Sequence, residues 1–237
     1  MKNGLYIVST PIGNLSDISL RASETLKNAD VVICENPNHS LKILSKLGIK
    51  KKLISLHDYN EDKIINRFEK LVKKQAIALI SDAGSPLISD PGYKLVKKFI
   101  ESEAYVTSIP GPTSIIPALQ LSTIPMNEFH FYGFVPKAKK QLQDFLKKIL
   151  NSNQTSVFYT SSHRLILCLK EMDVVLKNRK IAVCKEITKL NEKVFIGSAK
   201  KILSEIENKA KNKMGEFVIV VEGNKNNSKL KDFIDVE

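Results

Sequence analysis

The sequence predicts an α/β protein of two domains, each with a parallel or mixed β-sheet flanked by helices. Short apolar runs rich in valine and isoleucine alternate with helical patterns along the chain. Its 237 residues, 43% of them hydrophobic, suffice for two domains of ordinary size. All nine prolines lie at or before Pro136, and a group of them separates the two halves. We therefore expect domains at 1–117 and 118–237, a hinge near 117–125 and a flexible tail from Asn224.

The first half predicts five strands with helices between them. The strands are expected at Leu5–Thr10, Val31–Glu35, Leu53–His57, Ile77–Asp82 and Tyr105–Ile109. The helices are expected at Arg21–Asn28, Leu41–Leu47 and Glu61–Lys74, where apolar residues recur at helical spacing. Repeated β-α-β units of this length indicate a mostly parallel sheet covered on both faces.

The second half continues the alternation without proline after Pro136. The expected strands are Phe129–Val135, Ser156–Thr160, Ile181–Ile187 and Phe217–Glu222. The expected helices are Lys139–Leu150, Leu165–Leu176 and Ala199–Asn208. These elements predict a second α/β domain of similar size.

The charge of the chain is strongly positive, with 37 Lys+Arg against 25 Asp+Glu and a formal net charge of +12. Such an excess is typical of proteins that bind a polyanion, most plausibly nucleic acid. Nearly all the cationic residues are lysine, and the chain is also rich in Ile and Asn. Because AT-rich codons favour these residues, an AT-rich genome explains the positive charge equally well. Because lysine holds phosphate as a mobile point charge, any RNA would be gripped through its backbone.

Several classes of protein are excluded by composition. No apolar run approaches the ~20 residues that span a bilayer, and the first residues lack the apolar core of a secretory signal. Cys34, Cys168 and Cys184 lie far apart in apolar runs, which predicts buried reduced thiols and neither disulfides nor a metal site. We therefore expect a cytoplasmic protein with no membrane partner and no metal.

Three unusual loops follow strands of the first domain. Each combines Gly and Pro with small polar residues, at 9–15, 81–92 and 110–114. Ligands bind beyond the carboxyl ends of parallel strands, so the loops predict a shared pocket there. Neither G-x-G-x-x-G nor G-x-x-x-x-G-K-[ST] is present, which disfavours a dinucleotide site and a P-loop. A small zwitterionic or nucleoside-like ligand fits better.

The loops STPIGNLSDISLRA, ALISDAGSPLISDPG and SIPGPTS resemble those of the bacterial ribosomal RNA small subunit methyltransferase I family. The resemblance continues through LHDYNE, FYGFVP, Phe158-Tyr159 with SHRL at 162–165, KEITK and GEFVIVVEG, and so covers essentially the whole chain. It implies the tetrapyrrole-methylase fold, with S-adenosylmethionine in the cleft between two α/β domains. It also implies 2′-O-methylation of a decoding-centre cytidine in 16S rRNA, on the assembled small subunit, by a homodimer that does not act on DNA.

Carried onto this sequence, the resemblance implies a set of cofactor-binding residues on the three loops and in the second domain. They are Thr10, Pro11, Asp82, Ala83, Gly84, Ser85, Pro110, Gly111, Pro112, Thr113, Ser114, Tyr159 and Ala182.

Two segments depart from the family pattern. The family usually has Glu-Asp-Thr-Arg-His-Thr where this chain has Glu35-Asn36-Pro37-Asn38-His39-Ser40. It has Tyr-Glu-Ser where this chain has Tyr159-Thr160-Ser161. Each departure loses an acid, so slow or absent turnover on the usual target is one expectation.

The chemistry needs a base, because a ribose 2′-hydroxyl is a poor nucleophile near neutral pH. We expect Asp58 or Glu186 to take the proton, and Arg164 or Lys185 to anchor a substrate phosphate.

RNA contacts are expected from five lysines on or before the first helix of the second domain. These are Lys137, Lys139, Lys140, Lys147 and Lys148. The aromatic residues Phe131, Tyr132 and Phe134 either stack a splayed base or, more in keeping with a strand, pack in the core.

Two alternatives stay open. The chain could be a small-molecule methylase of the same fold acting on a tetrapyrrole, or a methylase of a modified protein side chain. It could also be an RNA-associated module that keeps the cofactor pocket without turnover.

Overall fold

The computed structural model describes residues 1–224 and divides them into two compact units, Met1–Thr113 and a second that begins at Ser114. The second unit begins slightly before the expected boundary, with helix α5 (Ile115–Ser122) where the prolines suggested a hinge. Pro117 falls in the first turn of α5, where the missing N–H costs no helical hydrogen bond. Helix α5 packs on the sheet of the second unit, so it belongs there. The tail expected after Asn224 lies outside the described residues.

The first unit is a parallel five-stranded sheet in the order β3-β2-β4-β1-β5. Its strands are β1 (Gly4–Val8), β2 (Val31–Cys34), β3 (Lys52–Ser55), β4 (Ala76–Ile80) and β5 (Val106–Ile109). Its helices are α1 (Leu20–Asn28), α2 (Pro37–Lys46), α3 (Glu61–Phe68) and α4 (Tyr93–Glu101). Strands β2 and β4 are buried along their whole length. The prediction of a mostly parallel sheet is confirmed.

Two helices of this unit differ from their expected bounds. Helix α2 begins before Leu41 because the Asn36 side chain accepts hydrogen bonds from the amides of Asn38 and His39, and Pro37 suits the first turn. Helix α3 ends at Phe68, and turns continue the apolar face to Val72. Helix α4 was not predicted. It begins at Tyr93, after Gly92, and its first turn is capped by the buried Glu61 carboxylate, which accepts from the Leu95 amide at 2.9 Å.

The second unit holds a mixed five-stranded sheet in the order β6-β7-β10-β8-β9. Its strands are β6 (Phe129–Phe134), β7 (Thr155–Ser161), β8 (Ile181–Lys185), β9 (Lys193–Gly197) and β10 (Glu216–Val221). Its further helices are α6 (Lys139–Asn151), α7 (Ser162–Leu176) and α8 (Ala199–Glu207). Strands β6 and β7 are parallel, and the other neighbours are antiparallel.

Strand β8 ends two residues before the expected Ile187, because Glu186 takes a left-handed backbone conformation with φ of 51°. The chain then turns back and forms β9, which was not predicted. Helices α6, α7 and α8 cover one face of the sheet and enclose a core that includes Phe158, Met172 and Phe217.

The three cysteines are buried free thiols, as predicted. Burial raises the pKa of Cys168 and of Cys184 to about 12, so both stay protonated near neutral pH. Within residues 1–224, no helix has the length and apolar character needed to cross a membrane.

Candidate functional site

The three glycine- and proline-rich loops meet at the carboxyl edge of the first sheet. Thr10 and Gly84 exchange two backbone hydrogen bonds, of 2.9 and 3.0 Å, which join the loop after β1 to the loop after β4. The hydroxyls of Ser9 and Ser85 share a hydrogen bond of 3.0 Å. Ser85 donates to the Pro112 carbonyl at 3.2 Å, which joins the loop after β5. The predicted convergence of these loops is therefore present in the structure.

Two glycines make this close approach possible. A Cβ at Gly111 would lie 2.9 Å from the Ser9 Cβ, so any side chain there would force the β1 and β5 loops apart. Gly84 has φ of +80°, a conformation that other residues rarely adopt, and a Cβ there would meet Ile12 at 3.1 Å. The loops thus form a cradle lined mainly by backbone, to which the predicted residues Thr10, Pro11, 82–85 and 110–113 belong.

Asp82 contributes an unsatisfied carboxyl oxygen to this cradle. Its Oδ1 atom is buried and has no hydrogen-bond partner among the described residues. A buried carboxylate oxygen without a donor is costly, unless a ligand supplies that donor. A cationic or amine-bearing ligand would satisfy it.

Further carboxylates surround Asp82. Burial and the charges of Asp82 and Asp58 raise the pKa of Glu35, against a smaller opposing effect of His57. Burial, Glu35 and Asp82 raise the pKa of Asp90 to about 6, although the Ser81 hydroxyl opposes them. Negative charge is therefore concentrated at this edge of the sheet, which favours a cation there. Asp90 was not predicted as a site residue.

Asp90 is expected to make stability depend on pH. The pKa of Asp90 in the folded protein, about 6, exceeds the ordinary value of 3.8. Its contribution to the free energy of unfolding is therefore fully present below pH 3.8 and is lost as the pH rises through 6. We expect Asp90→Asn to raise the free energy of unfolding at pH 7 by about 1–2 kcal/mol, after allowance for partial exposure, and to change it little at pH 4. Urea unfolding at both pH values measures this. Asp62→Asn, on the exposed face of α3, is the control. An equal change in the stability of Asp90→Asn at both pH values would contradict the predicted pH dependence.

Asp58 lies on an exposed turn after β3. The turn is held by Asn60, whose side chain accepts from the His57 amide at 2.7 Å and donates to the Ser55 carbonyl at 3.0 Å. The Asp58 carboxylate itself has no hydrogen bond or ion pair within residues 1–224. Its oxygens are therefore accessible to solvent and to a ligand.

Glu186, the other proposed base, is engaged within the second unit. Its Oε1 accepts from the Glu216 amide at 2.9 Å and from Lys189 Nζ at 3.0 Å. Burial acts to raise the Glu186 pKa, but the Glu216 amide and the lysines at 189 and 185 outweigh it and bring the pKa below its ordinary value. A carboxylate held in this way is a weak base.

The two proposed phosphate anchors also hold backbone groups. Lys185 is buried, and its Nζ donates to the Lys211 carbonyl at 2.8 Å. Arg164 is half-buried and donates to the Pro136 carbonyl at 2.9 Å, while its buried Nε has no partner among residues 1–224. Each keeps N–H donors that these carbonyls do not use, so neither contact excludes a phosphate, although Lys185 is buried.

The remaining predicted residues lie in the second unit. Tyr159 accepts a hydrogen bond from Ser114 at 3.2 Å, and Ala182 is buried in β8. Among the predicted RNA-binding lysines, Lys139 pairs with Glu171 at 3.1 Å and Lys147 with Asp144 at 3.4 Å. Lys137, Lys140 and Lys148 are exposed and make no ion pair within the described part of the chain.

The two departures from the family pattern have local structural consequences. Asn36 caps α2 and preserves the start of that helix. Thr160 is buried in β7, and its hydroxyl has no partner among residues 1–224.

Comparison with known proteins agrees with this architecture. The family model for tetrapyrrole (corrin/porphyrin) methylases matches residues 4–203. Proteins named ribosomal RNA small subunit methyltransferase I are 38% identical in Xylella fastidiosa, over 92% of this chain and 81% of the relative, and 40% identical in Escherichia coli O157:H7, over 93% and 78%. The Thermotoga maritima relative is 36% identical over 92% of this chain and 98% of its own length. The uroporphyrin-III-C-methyltransferase from Thermus thermophilus has the same fold, with a TM-score of 0.60, 17% identity, and coverage of 93% of this chain and 94% of that one.

Proposed function

The chain belongs to the ribosomal RNA small subunit methyltransferase I family of tetrapyrrole methylases, and from this premise we propose what it methylates and with which donor. The proposed reaction is transfer of a methyl group from S-adenosylmethionine to the ribose 2′-hydroxyl of a decoding-centre cytidine in 16S rRNA. The proposed enzyme is a cytoplasmic homodimer that acts on the assembled small subunit.

The observation that carries the donor assignment is the cradle with its unpartnered Asp82 oxygen. S-adenosylmethionine carries a sulfonium and an ammonium group, and both favour a site rich in carboxylates. Backbone groups that line the glycine loops suit the hydrogen-bonding edges of its adenosine. The residues present therefore fit this donor, which when bound supplies an activated methyl group.

The contribution of the chain is positioning and proton transfer. The Ser9–Ser85–Pro112 hydrogen bonds keep the three loops in one arrangement, which lowers the entropy cost of alignment. Asp58, which is exposed and unpaired within residues 1–224, takes the proton of the attacking hydroxyl. Lys137, Lys140 and Lys148 hold RNA phosphates, in keeping with the net charge of +12.

The test uses purified protein, labelled S-adenosylmethionine and small subunits that lack this methyl group. We expect the label on a ribose of the decoding centre when the RNA is mapped. Transfer to a tetrapyrrole and not to RNA would identify a small-molecule methylase. Donor binding without transfer to any RNA would identify a binding module. Either result would overturn the proposed activity.

Salt is expected to weaken RNA binding steeply. If the three unpaired lysines each neutralise one phosphate, the logarithm of the binding constant should fall with the logarithm of salt concentration with a slope of about −2. The double variant Lys137→Gln/Lys140→Gln should reduce that slope to less than half. Lys97→Gln is the matched control, because Lys97 pairs with Glu101 on α4. A slope near zero in the unmodified protein would contradict the phosphate contacts.

A further inference from the structure

Strand β6 carries an unusual concentration of rings at the edge of the second sheet. Its six residues, Phe129–Phe134, comprise four aromatic residues, His130 and Gly133. Phe134 is 62% exposed although it belongs to a strand. This ring is held by a sheet and follows three further rings on the same strand, so it is available to contact a flat ligand.

A bulge sets the direction of the Phe134 ring. Phe131 is opposite Val157 and Phe134 is opposite Tyr159, so three steps on β6 match two on β7. Gly133, with φ of +69°, absorbs the extra residue. In a regular strand, residues three apart point to opposite faces. Here both rings contact Tyr159, with centroids 5.0 Å and 5.2 Å from its ring.

The backbone after the bulge is fixed on both sides. The Val135 amide donates to the Tyr159 carbonyl at 3.0 Å. Arg164 donates to the Pro136 carbonyl at 2.9 Å. The Phe134 ring is therefore held in place by its neighbours while much of its surface stays open to solvent. Such preorganisation lowers the entropy cost of binding a flat ligand.

Positive charge follows the ring immediately. Lys137 and Lys140 lie three and six positions after Phe134, are exposed, and make no ion pair within residues 1–224. An aromatic ring beside unpaired cations matches a ligand with flat bases and phosphates. The methyl donor is itself cationic, so these lysines disfavour it as the occupant.

We propose that Phe134, supported by Phe131 and Tyr159, is a stacking platform for an unpaired base of the RNA substrate, and that Lys137 and Lys140 contact the adjoining phosphates. The inference rests on the proposed RNA methylation and assigns a substrate-positioning surface to it. Stacking is tolerant of sequence because every base has a π-face, so the platform would orient the strand without selecting its sequence.

The test compares Phe134→Ala with Phe134→Tyr in the full chain. Stacking of one base contributes about 1–3 kcal/mol, so Phe134→Ala should raise KM for small subunits roughly 5- to 150-fold, and Phe134→Tyr should restore it. Phe129→Ala, on the same strand before the bulge, is the matched control and should leave KM near its original value. A single-stranded RNA containing 2-aminopurine, titrated without the donor, should show quenching that Phe134→Ala abolishes.

Three outcomes would overturn the platform. The first is unchanged KM and quenching in Phe134→Ala. The second is a parallel loss of S-adenosylmethionine affinity, measured by calorimetry, which would place the donor on this ring. The third is a change of oligomeric state in Phe134→Ala, which would make the ring a subunit contact. The quenching does not require methyl transfer, so failure of the platform and failure of the proposed activity are distinguishable.

Discussion

Asp82→Asn is expected to weaken binding of S-adenosylmethionine roughly 10- to 150-fold without lowering the stability of the protein. A hydrogen bond to a charged group contributes about 1.5–3 kcal/mol, and the substitution removes the charge that the ligand's cation would meet. The same charge repels Glu35 and Asp90 in the free protein. Its removal should therefore lower the pKa of Asp90 and raise the free energy of unfolding at pH 7 by up to about 1 kcal/mol.

Calorimetric titration of the donor and urea unfolding measure these two opposite changes in one variant. Asp62→Asn removes a carboxylate from the same unit outside the cradle, and should leave the donor affinity unchanged. It should lower, and not raise, the free energy of unfolding, by about 0.3–1 kcal/mol, because Asp62 lies in the first turn of α3. Unchanged donor affinity in Asp82→Asn would show that the unpartnered oxygen does not face the ligand. A loss of affinity together with a loss of stability would show instead that Asp82 supports the loop.

The fold could be predicted where local pattern and tertiary environment agree. Strand β2 (Val31–Cys34) is a continuous apolar run, and such a run suits the centre of a parallel sheet. Strand β9 (Lys193–Gly197) was missed because it is a short edge strand that begins with lysine and depends on pairing with β8. Helix α5 was missed because its proline signalled a break, although proline is harmless in a first turn.

The candidate site could likewise be predicted only in part. The loop composition was enough to predict that the segments around Ser9, Ser85 and Pro112 converge, because parallel strands end at one edge. The raised pKa of Asp90 could not be predicted, since it arises from burial in the folded chain and from the charges of Glu35, just after β2, and of Asp82, earlier in the same loop as Asp90.

The contact of both Phe131 and Phe134 with the ring of Tyr159 could not be predicted from the sequence either. In a regular strand, side chains alternate between the two faces of the sheet, which would put Phe131 and Phe134 on opposite faces. Only the observed register shows the bulge that brings them together. Glycine at position 133 was the one available indication of that bulge.

The identity of the base is the other question with a large expected effect. Asp58→Asn should lower kcat roughly 10²- to 10⁴-fold, the usual contribution of a positioned base, and leave the melting temperature and the donor affinity unchanged. Asp58 is exposed and unpaired within the described residues, so its substitution breaks no contact that holds the fold.

Glu186→Gln should behave in the opposite way. Its carboxylate joins the Glu216 amide and Lys189, and its lowered pKa means that this stabilisation is present at neutral pH and is lost as the pH falls through the folded pKa. We expect Glu186→Gln to reduce the free energy of unfolding at pH 7 by about 1 kcal/mol and to keep kcat within a few-fold of its original value.

Single-turnover kinetics on both variants measures the chemical step without product release. Urea unfolding of the same variants measures stability, so the two experiments separate a catalytic role from a structural one. A loss of kcat in Glu186→Gln with full activity in Asp58→Asn would assign the role of base to Glu186. Full activity in both variants would show that neither carboxylate acts as the base. Alignment by the three loops would then account for the rate, since well-oriented groups can supply about 7–11 kcal/mol of the barrier by themselves.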